Sequence, residues 1–226
     1  MMLGNIREMG NLVDLVNELG FLPMFCNSLP GYSVEDCTPP EMMFEGKEEG
    51  PWEWREELVE RKELLYGKFF GGRTGFISLS WFPDFANYRR DGYDFDARWD
   101  DGLVNYHDKQ LYDLLMEHGS CPAPELRRLA GVKKGKDGAF ESAITRLQMR
   151  AYVLPVRCIF ARNRQGQKYG YGTTSFDLAE RWLGNNLCTS AYKTDPAKSY
   201  EKILSHLVQK LGKQARPKLQ KLIQMR

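Results

Sequence analysis

The sequence predicts an α+β chain: a mostly helical N-terminal region with one β-hairpin, then a helical unit closed by a second hairpin, then C-terminal helices. Three observations predict it. Apolar residues recur at helical spacing through several stretches. Two pairs of short apolar runs flank turn residues, Gly71-Gly72 and the segment 163–167. No repeat or low-complexity tract interrupts them. With 226 residues the chain is one large domain or two small ones. Its 42% hydrophobic and 12% aromatic content excludes a disordered chain.

The elements follow in order. Ile6, Met9, Leu12, Val13, Val16 and Leu19 share one side of a helix over 5–19, which Gly20 stops. Residues 21–51, rich in Pro and Gly, read as an ordered connector whose aromatic and Met side chains pack on something. A helix is expected over 52–62, strands over 64–70 and 74–79, and a helix capped by Ser80 through 90, with Pro83 tolerated in its first turn. Residues 95–104 read as a short helix or irregular. Further helices are expected at 107–117, 125–129 and 139–152. A strand follows over 153–162, a turn at 163–167 and a returning strand over 168–173. Helices at 177–183, 199–211 and 217–225 complete the chain. The expected divisions are an acidic, aromatic-rich region 1–105, a second unit 106–184 and a basic helical tail 185–226.

Charge is distributed unevenly. Residues 1–121 carry 11 basic and 23 acidic side chains, and residues 122–226 carry 21 and 7. Such a split points either to nucleic-acid binding by the basic part or to docking of the two halves on each other, and both can hold together. The tail 193–226 has 9 basic and 2 acidic residues, as a DNA-tracking arm or a solvated helical pair would.

Helix, short helix, turn, longer helix and hairpin is the order of a winged helix-turn-helix, in which the second helix of the turn enters the major groove and the wing lies on the backbone. On that reading Ser142, Thr145, Arg146, Met149 and Arg150 face outward from the longer helix. The turn before it supplies Lys133, Lys134 and Lys136, and the wing supplies Arg162, Arg164 and Lys168. Across 122–172 there are 11 basic and 3 acidic residues, so duplex binding should depend strongly on salt through counterion release. Winged helices also serve as protein-interaction modules, because a fold does not dictate a function.

The stretch 64–90, LLYGKFFGGRTGFISLSWFPDFANYRR, resembles the segment before the last winged helix of the AlkZ-type winged-helix DNA glycosylases. The stretch 122–184 is similar to the winged-helix module of that family, and fits better still a shorter bacterial group described as related to it. The resemblance covers 52–184. It implies DNA binding and a role in repair or damage recognition, in the family by removal of alkylated bases, with a Gln-x-Gln or Gln-x-Asp motif placing the hydrolytic water. This chain departs from that motif. It has no glutamine before Gln110, and Gln148 stands in Arg146-Leu147-Gln148-Met149, inside the expected recognition helix. The alternatives are a non-enzymatic DNA-binding regulator and an interaction or small-molecule module in which the acidic half covers the basic one.

Hydrolysis of a glycosidic bond needs a general base for water, or charge stabilisation of an oxocarbenium-like sugar. Glu53, Asp84, Asp91 and Asp94 sit among Trp52, Trp54, Phe85, Tyr88 and Tyr93, a candidate pocket for a flipped base. The competing reading is that the aromatics bury one another and the carboxylates pair with Arg89 and Arg90. His107, His118 and His206 lack metal-ligand spacing, no phosphate-loop motif occurs, and no base stands beside a cysteine, so no metal or cofactor is expected. Five scattered cysteines, no long apolar run and no signal-peptide layout predict a reduced, cytoplasmic protein with no membrane span. The expected partner is duplex DNA; protein partners are unknown.

Overall fold

Helix α1 is Met9–Leu19, shorter at its start than the periodicity over 5–19 predicts. Ile6 is buried all the same, because its N–H donates to the Cys37 carbonyl and ties the entering chain to the next segment. Gly20 stops the helix. Its φ of 77° suits glycine, its N–H donates to Val16 O, and a Cβ would lie 2.6 Å from the Trp81 ring. This computed structural model describes residues 4–43, 49–133 and 135–224.

The expected connector contains a strand. β1 (Phe21–Pro23) is followed by the short helices α2 (Val34–Cys37) and α3 (Pro40–Met43) and then by α4 (Pro51–Glu60). β2 (Leu64–Phe70) and β3 (Arg73–Ser78) form the expected hairpin at Gly71-Gly72. β1 pairs with β3 from the other side, giving an antiparallel sheet ordered β1-β3-β2. A 3-10 turn, Leu79–Trp81, leads into α5 (Phe82–Arg90). Trp81 occupies the cap position expected for Ser80, Pro83 sits in the first turn, and Asp91 ends the helix at φ 55°.

The second half runs α6 (Phe95–Asp100), α7 (Tyr106–His118), β4 (Cys121–Pro122), α8 (Ala123–Leu129), α9 (Gly138–Met149), β5 (Val153–Arg162) and β6 (Lys168–Leu178). Its antiparallel sheet is ordered β4-β6-β5. α9 ends three residues before the expected 152, because Ala151 adopts φ 58° and turns the chain into β5. β6 continues past 173 because Asp177 and Leu178 pair with Leu154 and Val153. The helix expected at 177–183 therefore shrinks to α10 (Ala179–Leu183). α11 (Asn185–Thr189), α12 (Pro196–Leu211), a 3-10 turn at Lys213–Ala215 and α13 (Arg216–Ile223) follow.

The interior has two centres. One gathers Leu12, Val16, Phe21, Phe76 and Phe85 with Ile203, Leu207 and Leu219 of the C-terminal helices. The other gathers Leu111, Leu115, Leu126, Phe140, Ile144 and Phe176. The basic C-terminal stretch thus closes on the N-terminal sheet. Asn87 Nδ2 donates to Thr194 O and Ser199 Oγ, both at 2.9 Å, and Lys202 Nζ donates to Asp84 at 2.6 Å. No helix among the described residues is long and apolar enough to cross a membrane.

His206 on α12 packs on Trp81, ring centroids 4.4 Å apart, with Nε2 3.1 Å from Leu19 O. Burial, followed by Lys210, lowers its pKa, against the opposing pull of the backbone carbonyls. The folded chain therefore binds fewer protons here than the unfolded chain does as pH falls through 6.5, and stability is lost in that direction. Thermal unfolding of the wild type and His206→Gln between about pH 7.5 and 5 should show the wild type losing stability relative to the variant toward acid. Parallel profiles would contradict this.

Candidate nucleic-acid interface

The expected DNA-facing residues divide into three groups. Lys133 and Lys136 lie exposed in the α8–α9 turn, Ser142 is exposed on α9, and Arg164 is exposed at the tip of the β5–β6 hairpin. The three cations make no side-chain ion pair among the described residues. Lys134 lies outside the described residues.

A second group is on α9 but faces protein. β2 lies along that helix. Lys68 donates its backbone N–H to Gln148 Oε1 at 3.1 Å and its Nζ to Thr145 Oγ1 at 3.0 Å. Met149 is 7% exposed. Arg146 turns back onto buried Asp108 of α7, with three donor–acceptor distances of 2.5–3.1 Å. Arg150 is half-buried, and burial followed by neighbouring Arg98 lowers its pKa. The expectation that Thr145, Arg146, Met149 and Arg150 form an open reading face is corrected: the β2–β3 hairpin covers Thr145 and Met149, Asp108 of α7 holds the partly exposed Arg146, and Arg150 is half-buried beside Arg98. The helical pattern identified the inward face at Phe140, Ile144 and Leu147 but not the second, non-local contact.

The third group is the wing. Arg162 pairs with Glu56 at 3.0 Å, Lys168 with Glu56 at 3.2 Å and Glu49 at 3.3 Å, and Arg157 with Glu60 at 2.8 Å. Glu49 and the acidic face of α4 therefore pair with Arg157, Arg162 and Lys168 and leave Arg164 at the tip free of an ion pair among the described residues. Exposed pairs contribute about 0–1 kcal/mol each. Lys168 is the tighter case, its side chain being 8% exposed. Docking of the charged halves, one of the two readings of the charge split, is realised here.

The candidate pocket does not assemble. Phe85 is in the core, and Trp54 packs at its edge. Tyr88 rests on Tyr200, Glu53 accepts the Gly50 N–H, and Asp84 holds Ser199 and Lys202. Tyr93 donates to Asp101, Asp94 caps α6, and Asp91 is an exposed helix end. These positions serve separate helix ends and packing contacts, so nearness in sequence does not bring them to one cleft. Trp52 lines an open cleft.

That cleft, of about 340 Å³, opens between α4, β2, the α8–α9 pair and β6. Trp52, Tyr66, Tyr171 and Phe176 supply rings, and its charged side chains are Arg55, Lys68, Arg127 and Glu141. Arg55 is 4% exposed. Its guanidinium lies 3.5 Å from the centre of the Trp52 ring, Nε donates to Trp52 O at 2.6 Å, and Nη1 donates to Tyr66 OH at 3.2 Å. Its Nη2 is buried without a hydrogen-bond partner among the described residues. Glu141 bonds to Arg127 and lies 3.6 Å from Lys68 Nζ. Arg55 was hidden in the charge run of 52–62, where a helical Arg reads as solvated. The alternation of Tyr169 and Tyr171 with glycines was the one available signal for the rim.

The family model described as AlkZ related matches residues 6–224. Among solved structures, the Streptomyces sahachiroi DNA glycosylase AlkZ is similar at 12% identity and a TM-score of 0.42, over 86% of this chain and 51% of that one. The chain thus spans about half the length of that protein. No curated protein matches.

Proposed function

The chain belongs to the AlkZ-related family, and from that premise we propose that it binds duplex DNA, with residues 106–184 acting as a winged helix, in DNA repair or damage recognition. The observation that carries this reading is the order α7-β4-α8-α9-β5-β6 with the sheet ordered β4-β6-β5. A helix pair followed by a hairpin that returns beside the first short strand is what a winged helix requires. The DNA-facing groups are Lys133, Lys134 and Lys136 in the turn, Ser142 early in α9 and Arg164 at the wing tip. Phosphate contacts by such cations position a protein without reading sequence. With most of α9 covered, we infer binding of low sequence preference.

The test is charge reversal of Lys133, Lys136 and Arg164 together, with fluorescence anisotropy on a labelled duplex. The exposed positions leave thermal stability unchanged. Affinity at low salt is expected to fall at least about tenfold, and the salt slope to shrink by nearly one unit for each phosphate that is no longer neutralised. Unchanged affinity and slope would overturn the assignment. A methylated duplex in the same titration, assayed for free base, separates binding from glycosidic hydrolysis.

The ion pairs between α4 and the wing favour a second reading, a module whose acidic half covers its basic half. It predicts no duplex affinity at physiological salt.

A further inference from the structure

We infer that the cleft between β2 and β6, with its aromatic rim, is a binding site for unpaired DNA. This goes beyond duplex binding and rests on different residues.

Two independent observations support it. The first is a row of accessible rings. Phe25 is 40% exposed and Tyr171 85%. Trp52 stands between them, 6.1 Å from Phe25 and 6.2 Å from Tyr171, centroid to centroid. Tyr169, two residues along β6, is 58% exposed. A single exposed ring is ordinary on a protein surface, but neighbouring exposed rings form a patch of the kind that marks a binding surface. Backbone geometry maintains the display: Gly172 adopts φ 71°, and a Cβ there would lie 3.1 Å from Cys158 Sγ and 3.3 Å from Ile159 O. Stacking needs a free base face, which a paired strand does not offer, and rows of rings bind single strands with little sequence preference.

The second observation is the charge beneath the rings. Three cations and one carboxylate line the cleft. Lys68 and Arg127 are accessible at its wall, with side chains 31% and 35% exposed, Arg127 also pairing with Glu141 and with Asp137 at 3.6 Å. Arg55 lies under Trp52 and, among the described residues, has no carboxylate hydrogen-bond partner and no partner for Nη2. A charge so buried is ordinarily paired. The missing anion belongs in the cleft above it, where the low-dielectric floor of rings lets Arg55 act at a distance. Bases on Phe25, Trp52 and Tyr171, with the connecting phosphates toward Lys68 and Arg127, satisfy both the rings and the unbalanced charge.

The experiment uses the full chain with a labelled oligo-dT of about 12 nucleotides, within the range of such sites, and a duplex of the same length, by anisotropy at low salt. Tyr171→Ala is the primary variant, because a ring 85% exposed can be removed without unfolding the chain. Trp52→Phe tests whether a smaller ring preserves part of the affinity that Trp52→Ala removes. Tyr171→Ala is expected to weaken oligo-dT binding by about fivefold or more, the lower end for one base–aromatic contact, with duplex affinity unchanged. No affinity for oligo-dT in the wild type, or equal affinity in wild type, Tyr171→Ala and Trp52→Ala, would overturn the proposal. Tighter binding of oligo-rU would overturn its assignment to DNA. Oligo-dT binding without duplex binding supports this site while contradicting the duplex reading.

Discussion

Replacing Arg90 with alanine is expected to destabilise the protein by about 3–5 kcal/mol, the range for removing one partner of a buried ion pair. Arg90 is 1% exposed at the end of α5. Its Nη1 donates to Glu180 and, at 2.7 Å, to Tyr192 OH, and its Nη2 donates to Ala151 O at 2.5 Å. Its guanidinium lies 4.7 Å from the Tyr152 ring centroid. Burial works against its charge, but Glu180 and Tyr192 outweigh that and leave the pKa raised. One side chain therefore joins α5, the α9–β5 turn, α10 and the loop after α11. Adjacent Arg89 is different: its Nη2 donates to Phe69 O, and burial lowers its pKa to about 10. For a chain of this length the expected loss corresponds to roughly 10 °C in Tm. Arg90→Lys should fall between, because an ammonium keeps the charge but cannot span these acceptors as a planar fork does. A loss below about 1 kcal/mol in denaturant unfolding would show that Arg90 does not hold the seam.

Neutralising the acidic face of α4 is expected to strengthen DNA binding. In Glu56→Gln with Glu60→Gln, Arg157 and Arg162 lose their carboxylate partners and Lys168 keeps only Glu49. Each freed cation that reaches a phosphate adds a counterion-release term worth about tenfold at 0.1 M salt and about 0.9 in the salt slope. One such contact suffices for a clear rise in duplex affinity. The folding cost is small at Arg157, Arg162 and Glu60, which are solvated and whose pairs contribute about 0–1 kcal/mol; it is larger at Lys168, 8% exposed, which loses Glu56 and keeps Glu49. Unchanged or weaker duplex binding with a flat slope would mean that the wing faces no phosphate.

What could be read from the sequence follows the range of the interactions. Both hairpins depend on local turn chemistry, and Gly71-Gly72 and the 163–167 turn revealed them. α7 and α9 present apolar stripes that their own residues define. β1 escaped because three residues, Phe21, Leu22 and Pro23, become a strand only by pairing with Ile77, Phe76 and Gly75. The final residues of β6 escaped for the same reason. Met149 and Thr145 lie on the polar-reading side of α9, and only the distant β2–β3 hairpin covers them, with Lys68 of β2 bonding to Thr145 and Gly72 facing both side chains. The charge split announced an interface between the halves without saying which acids meet which bases. The cleft was the least legible part, since Phe25, Trp52, Arg55, Lys68 and Tyr171 come from four separate segments.

Duplex affinity across a salt series decides the reading of this chain as a DNA-binding protein. Binding at low salt is expected to weaken linearly in log–log form, with a slope of about −3 for the roughly three cations at the turn and wing tip. Binding absent at low salt, or present but independent of salt, would contradict that reading.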